Sequence, residues 1–289
     1  MVEITNAFNT AKEIAFDSSS KFVIMSDIHR GTGDKSDDFA KNKHIFHNAL
    51  KKYYEEGYTY IELGDGEELW ENIKVSKIIN ANLDIYLLLK KFYKDNRLYL
   101  VYGNHDMDKK SKRYAAEYFH NYYDAKEEKY KKLFPDIQIH ESILLKNDEY
   151  IKKILLIHGH QADFFNYKLW YLAKFLVRFL WKPLEILGVQ DPTRPAKSQT
   201  KKLRVEKRLT EWIAEHNQMV IAGHTHKAVF SDIGIPPYFN DGCCVRKSGI
   251  TAIEIEDCKI KLVKWSKEGE GKTKETLAGP EKLKKYLKY

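Results

Sequence analysis

Short apolar runs alternate with longer amphipathic stretches along the first half of the chain. Residues 21–25, 58–63 and 98–102 are apolar runs of strand length, and 38–56 and 76–93 repeat apolar positions at helical spacing. A charged helix is predicted to follow the third strand through about residue 131. This βαβ rhythm predicts a sheet covered by helices. Residues 137–145 and 150–157 flank Asn147-Asp148 and predict a hairpin. After residue 226 the pattern turns all-β, with short strands predicted at 229–233, 237–240, 248–255 and 259–265. The expected fold class is α/β: a four-layer α/β/β/α sandwich of two packed mixed sheets with outer helices, formed by residues 1–289 as a single domain. Residues 164–217 interrupt the rhythm. A helix is predicted over 164–181, Pro183, Pro192 and Pro195 break the chain, and a basic helix runs from about 197 to 216. A helical cap inserted over the site is expected.

Five short motifs sit just after apolar runs: Asp27-Ile28-His29, Gly64-Asp65, Gly103-Asn104-His105-Asp106, His158-Gly159-His160 and Gly223-His224-Thr225-His226. Loops after successive strands gather at one sheet edge, so these residues are expected to converge. If the strand continued through residue 29, Asp27 and His29 would share a face and Ile28 would point into the core. Gly64 permits a tight turn that presents Asp65. A carboxylate has two oxygens, which makes Asp65 the candidate bridge between two cations. Asn104 adds a neutral oxygen; His158, His224 and His226 add imidazoles. Such a mixed oxygen and nitrogen set suits two divalent transition-metal ions, with manganese favoured and iron, zinc or cobalt as alternatives. Two adjacent ions can hold a bridging hydroxide and both sides of an in-line displacement at phosphorus. His105 is placed to donate a proton to the leaving oxygen, with Asp106 expected to fix its tautomer. His160 is a candidate substrate contact or a purely local residue.

Lys and Arg total 49 and Asp and Glu 41, a formal charge of +8 that favours anionic partners. The Lys-rich segment 272–289 is expected to be a solvated tail. Cys243, Cys244 and Cys258 form no disulfide framework, and the first two are expected to face opposite sides of a buried strand. The N-terminal residues lack a basic region followed by an apolar one, and no apolar window is long enough to span a membrane. A cytoplasmic location is the resulting expectation.

Together the five motifs resemble the signatures of the calcineurin-like metallophosphoesterases, over about residues 22–265. Tyr238-Phe239-Asn240-Asp241-Gly242 resembles the Asn-x-Gly strand that closes that fold. The resemblance implies one metal held by Asp27, His29, Asp65 and His226, a second held by Asp65, Asn104, His158 and His224, and His105 as the acid. Gly64-Asp65-Gly66-Glu67-Glu68-Leu69-Trp70 is similar to the GDxxExW pattern of the UDP-2,3-diacylglucosamine hydrolase branch, whose members also carry a lipid-holding cap. The chain departs from that branch at His105, where Arg is usual, and at Gly159-His160, where Gly-Asp is usual.

The insertion bears on substrate. At about 100° per residue, Lys168, Lys174, Arg178 and Lys182 form a basic stripe beside a wide aromatic and aliphatic face. Such a helix suits a membrane surface or a groove for acyl chains; packing on its own domain or in a dimer is the other reading. Arg30, beside His29, and Arg194, between two prolines, are candidate phosphate contacts. The expected function is a dinuclear metal-dependent phosphohydrolase that cleaves a phosphate or pyrophosphate ester by attack of a metal-bridging hydroxide. Its expected partner is a phosphorylated small-molecule or lipid-like substrate, lipid-linked or of nucleotide-sugar type, with peripheral membrane contact through 164–182. The alternatives are a nucleic-acid or cyclic-nucleotide phosphodiesterase, a Ser/Thr protein phosphatase and, remotely, a non-catalytic scaffold. Against nucleic acid, the insertion is too apolar for a groove that tracks phosphates.

Overall fold

The computed structural model describes residues 1–163, 167, 169–181, 199–268 and 271–287. Its strands form two large mixed sheets and a separate hairpin. The seven-stranded sheet runs Gly271–Lys282 (β14), Lys259–Glu268 (β13), Ile250–Glu256 (β12), Phe22–Met25 (β2), Thr59–Leu63 (β3), Leu98–Val101 (β4), Ile139–His140 (β7). The strands from β2 to β7 are parallel, and β12, β13 and β14 are added beyond β2, each antiparallel to its neighbour. The five-stranded sheet runs Lys12–Ala15 (β1), Ser142–Lys146 (β8), Ile154–Ile157 (β9), Met219–Ala222 (β10), Tyr238–Asn240 (β11). The expected hairpin is the antiparallel pair β8 and β9.

Strand alternation sorts side chains into three cores. Phe22 and Ile24 of β2 face the space between the sheets, where they meet Ile143, Leu145, Leu156 and Ile221 of the other sheet. Val23 and Met25 point the opposite way, toward helices Lys43–Glu55 (α2), Val75–Ala81 (α3) and Leu83–Lys94 (α4). On the five-stranded sheet, Leu144, Leu155 and Val220 face Val2–Asn9 (α1) and Gln199–His216, the basic helix. Both large sheets are thus covered on both faces, which is why β2 and β9 read as unbroken apolar runs. The four layers are those predicted.

Several predicted elements differ. The helix expected over 76–93 is two, divided at Asn82, whose side-chain amide donates to the carbonyls of Ile78 and Gly31. The charged helix expected to reach residue 131 stops at Phe119 (Lys112–Phe119, α5), and the hairpin Asn121–Asp124 (β5) and Lys129–Lys132 (β6) follows. The segment 229–233 makes only an isolated bridge, Val229 to Asn240. Cys243 and Cys244 are buried in a turn after β11 and lie on no strand. The expected Lys-rich tail is instead β14 and a short helix, Lys284–Leu287. Its lysines had concealed it: Lys274, 2.6 Å from the fully buried Glu254, neutralises that carboxylate together with Lys261. The first helix and β1 had no predicted counterpart.

The expected cap divides. Its first half is the described helix Trp170–Leu176 (α6), which continues as a π-helical turn, Val177–Trp181. Residues 182–198, with Arg194, lie outside the described residues. Its second half, Gln199–His216 (α7), belongs to the outer layer, because Val205, Leu209, Trp212 and Ile213 pack onto the five-stranded sheet. No helix among the described residues is long and apolar enough to cross a membrane. Trp212 is fully buried, and its indole donates to Thr5 of α1 at 3.0 Å. Trp212→Ala is predicted to lower stability by about 3–5 kcal/mol in urea denaturation; a loss below about 1 kcal/mol would show that α1 and α7 are not held through this residue.

Candidate metal centre

All five motif loops leave the C-terminal ends of strands: β2, β3 and β4 in one sheet, β9 and β10 in the other. The loops continue the ladder beyond the strands. Asp27 N–H donates to Gly64, His29 N–H to Asp65 and Gly223 N–H to His158. Asp27, His29, Asp65, His224 and His226 all adopt left-handed φ values, between 50° and 66°. Each such residue costs about 1–3 kcal/mol and persists only where its surroundings fix it. Ile28 is buried as expected, but the convergence of Asp27 and His29 comes from these kinks and not from an extended strand. Two glycines make the packing possible. A Cβ on Gly64 would lie 2.6 Å from the His158 ring, and one on Gly103 would lie 2.1 Å from Asp65 Oδ1.

Asp65 is at the middle of the cluster. Its Oδ1 accepts the His105 N–H at 2.8 Å, while Oδ2 lies 3.2 Å from His158 Nε2 and 3.7 Å from His29 Nε2. Asp27 Oδ2 accepts the His224 N–H at 2.8 Å, which leaves Oδ1 3.0 Å from His226 Nε2. His29 and His226 bring their Nε2 atoms within 3.3 Å of each other. His158 is oriented by Nδ1, which donates to the Leu63 carbonyl at 2.9 Å and so turns the Nε2 lone pair inward. Three groups of side chains have the spacing to hold a cation: Asp27, His29 and His226; His29, Asp65 and His105; Asp65, His158 and His224. Both side-chain polar atoms of buried Asn104, and His224 Nε2, have no hydrogen-bond partner among the described residues. Orphaned polar atoms of this kind are costly, and divalent ions would satisfy them. The donor set therefore fits the metals expected from the sequence.

Electrostatics agree. Burial alone would raise the Asp27 carboxyl, but His226 and His158 outweigh it and hold the group well below the carboxylate range. Asp65 is lowered in the same way, against burial, by His158 and His105. Burial would lower His158 and His226, yet the carboxylates beside them carry both to about 9. Without metal the site holds protons where cations would sit. Ser26 Oγ lies 2.5 Å from Asp27 Oδ2 and 2.6 Å from Asp241 Oδ1. One hydroxyl proton cannot serve both. Burial, and then the nearby Asp27 charge, push Asp241 well above the carboxylate range, the direction in which a proton on Asp241 would relieve the double contact at Ser26.

His105 has a different orienting partner from the one expected. Its Nδ1 is 2.8 Å from Glu68 Oε1, and the other oxygen of Glu68 is 2.8 Å from His29 Nδ1. One carboxylate thus aligns both imidazoles and turns their Nε2 atoms to the site. The indole of Trp70 stacks on His105 at 4.0 Å and donates to the Asn104 carbonyl at 2.7 Å. Asp106 does not contact the His105 ring. It accepts the N–H groups of Gly103 and Gly66 and pairs with Lys109 at 2.6 Å, so it staples two loops together.

Arg30 is not a phosphate clamp. It is 1% exposed and meets Glu62 in a bidentate pair at 2.7 Å, with Glu67 at 2.5 Å. Arg30 instead turns backward into a buried network with Lys109 and Asp106. Burial raises Glu67, but Arg30 and Lys109 hold it at about 2. His160 is fully buried beside Tyr102, His158 and Tyr167 and does not line the cleft. Glu68 and Trp70 had a sequence signal, the run from Gly64 to Trp70, but no assigned task. Asn240 likewise gains one: its amide holds the carbonyl of Gly223 at 2.6 Å and Thr225 Oγ1 at 3.2 Å, fixing the last motif loop. Cys243, which hydrogen-bonds to His226, had no signal.

A family model described as calcineurin-like phosphoesterase matches residues 20–228. The chain belongs to that family. A calcineurin-like phosphoesterase is a metal-dependent phosphoester hydrolase, and the motif residues meet here as such an enzyme requires. None of the curated proteins compared matches the chain. Solved structures that resemble this phosphoesterase include Vacuolar Protein Sorting 29 from Cryptosporidium parvum, at 14% identity, TM-score 0.41, over 90% of this chain and 97% of that one. A cold-active protein-tyrosine phosphatase of a psychrophile Shewanella sp. gives 16%, 0.44, 92% and 82%. An archaeal phosphodiesterase gives 18%, 0.35, 89% and 99%. These similarities are too low to carry a role from any of the three.

The Arg30 assignment has a direct test. Arg30→Met leaves Glu62 and Glu67 buried with Lys109 as the remaining cation and is predicted to cost about 3–5 kcal/mol of stability in thermal or urea unfolding. A variant of unchanged stability with only a raised KM would restore the phosphate-clamp role.

Proposed function

We propose that this phosphoesterase holds two divalent ions and hydrolyses a phosphate or pyrophosphate ester with an apolar portion. The observation that carries the dinuclear reading is the position of Asp65 Oδ2, between His29 Nε2 on one side and His158 Nε2 on the other. Asp27, His29 and His226 would hold one ion with Asp65; Asn104, His158 and His224 would hold the other. Manganese is the leading candidate, as mixed oxygen and imidazole donors accept it alongside iron, zinc and cobalt. When bound, the ions supply Lewis acidity and an activated water.

The chain's own groups do the rest. His105, held by Glu68 through Nδ1 and by Trp70 through its ring face, presents Nε2 to the cleft as the donor of a proton to the departing oxygen. Glu68, through Nδ1, fixes the orientation of that ring so that Nε2 points into the cleft. Asn104 and His224 line the cleft, about 840 Å³ including its open mouth, together with His29, Asp65 and His226. Asp34, Asp37, Asp38 and Glu71 line it as well. Such a wall disfavours a polyanionic strand, which argues for a compact ester over nucleic acid. The resemblance of the Gly64 to Trp70 segment to the diacylglucosamine hydrolases, with the apolar helix α6 beside it, supports a lipid-like or nucleotide-sugar-type substrate.

Hydrolysis of chromogenic phosphomonoesters and phosphodiesters after reconstitution with manganese tests the reading; no turnover of any phosphoester with both ions bound would overturn it. Asp65→Asn is predicted to reduce metal content at both positions and to lower kcat by at least about a thousandfold, since it weakens both Lewis acids. His105→Ala is predicted to lower kcat about 10²–10⁴-fold with full metal content; metal loss in that variant would make His105 a ligand, as its grouping with His29 and Asp65 allows. Metal uptake must also displace the protons that His158 and His226 hold up to about 9. Affinity is therefore predicted to rise with pH across the neutral range and to level off near 9, measured by calorimetry in buffers of different ionisation enthalpy. A flat profile would contradict proton displacement.

A further inference from the structure

The described part of the cap is unusual in what it leaves outside. Tyr171, Leu172, Phe175, Leu176 and Phe179 are 72%, 55%, 56%, 40% and 62% exposed. They follow helical spacing and form one continuous aromatic and aliphatic face. The opposite face is fixed to the body. Lys174 pairs with Asp108 at 2.5 Å, and Arg178 donates to the carbonyls of Leu69 at 2.6 Å and Trp70 at 3.1 Å. The cationic heads are thus used on the protein side, and the helix is held with its apolar face outward. Exposed apolar faces of this size mark an interaction site.

Charge identifies the occupant. Lys110, Lys112 and Arg113 are exposed on the segment that follows the Asn104 loop, and Lys110 and Arg113 line the same groove as Trp170 and Tyr171. Of the acids in that groove, Asp108 is neutralised by Lys174 and Glu117 stands against the cations. An aromatic-rich face flanked by exposed cations is the pattern of a helix lying in a lipid interface, where rings enter the acyl boundary and Lys and Arg meet anionic headgroups.

We propose that α6 and its π-helical continuation are a docking surface for an anionic phospholipid bilayer, with Lys110, Lys112 and Arg113 as headgroup contacts. The surface stands apart from the metal chemistry but is joined to it by structure. Arg178 holds the backbone of Trp70, and Trp70 packs on His105. Docking therefore engages the element that holds the Trp70 backbone, and through Trp70 the loop that orients His105.

The test is co-sedimentation of the full chain with vesicles of phosphatidylcholine alone and of phosphatidylcholine mixed with phosphatidylglycerol. The expected result is pelleting with the anionic vesicles, at least about tenfold weaker with the neutral ones. Phe175→Ser combined with Phe179→Ser should weaken anionic-vesicle binding at least about tenfold, because two buried aromatic rings are lost. Hydrolysis of a soluble chromogenic ester by that variant should not change. Wild-type protein that stays in the supernatant with both vesicles, or a double variant that pellets like wild type, overturns the proposal. So does a wild-type dimer by light scattering that the double variant converts to monomer with vesicle binding unaltered. Turnover without docking rejects the docking surface alone; docking without turnover of any ester rejects the hydrolase reading alone.

Discussion

Asp65 is the residue on which the arrangement depends. It lies in the loop just after β3, enters a left-handed conformation at φ 52°, and places one carboxylate oxygen near imidazoles that come from different sheets. His29 follows a strand of the seven-stranded sheet and His158 a strand of the five-stranded one. A shared carboxylate therefore also ties the two sheets together at their edge. The approach is so close that Gly64 and Gly103 cannot carry side chains without striking His158 or Asp65 itself. Strain, glycine placement and loop pairing all serve this one approach. Without cations it concentrates polar atoms that have no partners, which is the physical case for metals at this point.

Behind Asp65 lies a second, dry layer of charge. Arg30, Glu62, Glu67, Lys109 and Asp106 are each at most 1% exposed and pair with one another as ions. The network contacts three of the motif loops: Arg30 comes from the first, Asp106 from the third, and Asp106 accepts the N–H of Gly66 in the second. It fixes loop positions, whereas Glu68 and Trp70 fix ring orientations. The division explains why two adjacent carboxylates, Glu67 and Glu68, have opposite directions and separate tasks. Glu67 faces the buried cations and Glu68 faces the histidines.

The four layers were legible because apolar periodicity directly reports which faces are covered, and β2, β3, β4 and β9 are covered on both. The motif residues were legible because metal-ligand side chains at strand ends have few other uses. Arg30 was misjudged because nothing local distinguishes an arginine beside a site from one turned into the core; its partner Glu62 lies 32 positions away. Asp106 was misjudged because sequence adjacency to His105 suggested contact, while a short turn sends the two side chains in different directions. Glu68 was present in a recognised pattern, yet its bond to His29 spans 39 positions. The β14 strand was hidden by its lysines, one of which, Lys274, has a partner carboxylate, Glu254, that is buried and remote in sequence. For Arg30, Glu68 and β14 the missing information was a polar pairing remote in sequence, which periodicity does not encode.

The central claim is that one carboxylate serves two ions. Anomalous diffraction from crystals grown with manganese tests it most directly. Two anomalous peaks with the Asp65 carboxylate between them, the first also touching Asp27, His29 and His226 and the second Asn104, His158 and His224, is the predicted result. A single peak, or two peaks bridged by a group other than Asp65, would contradict it.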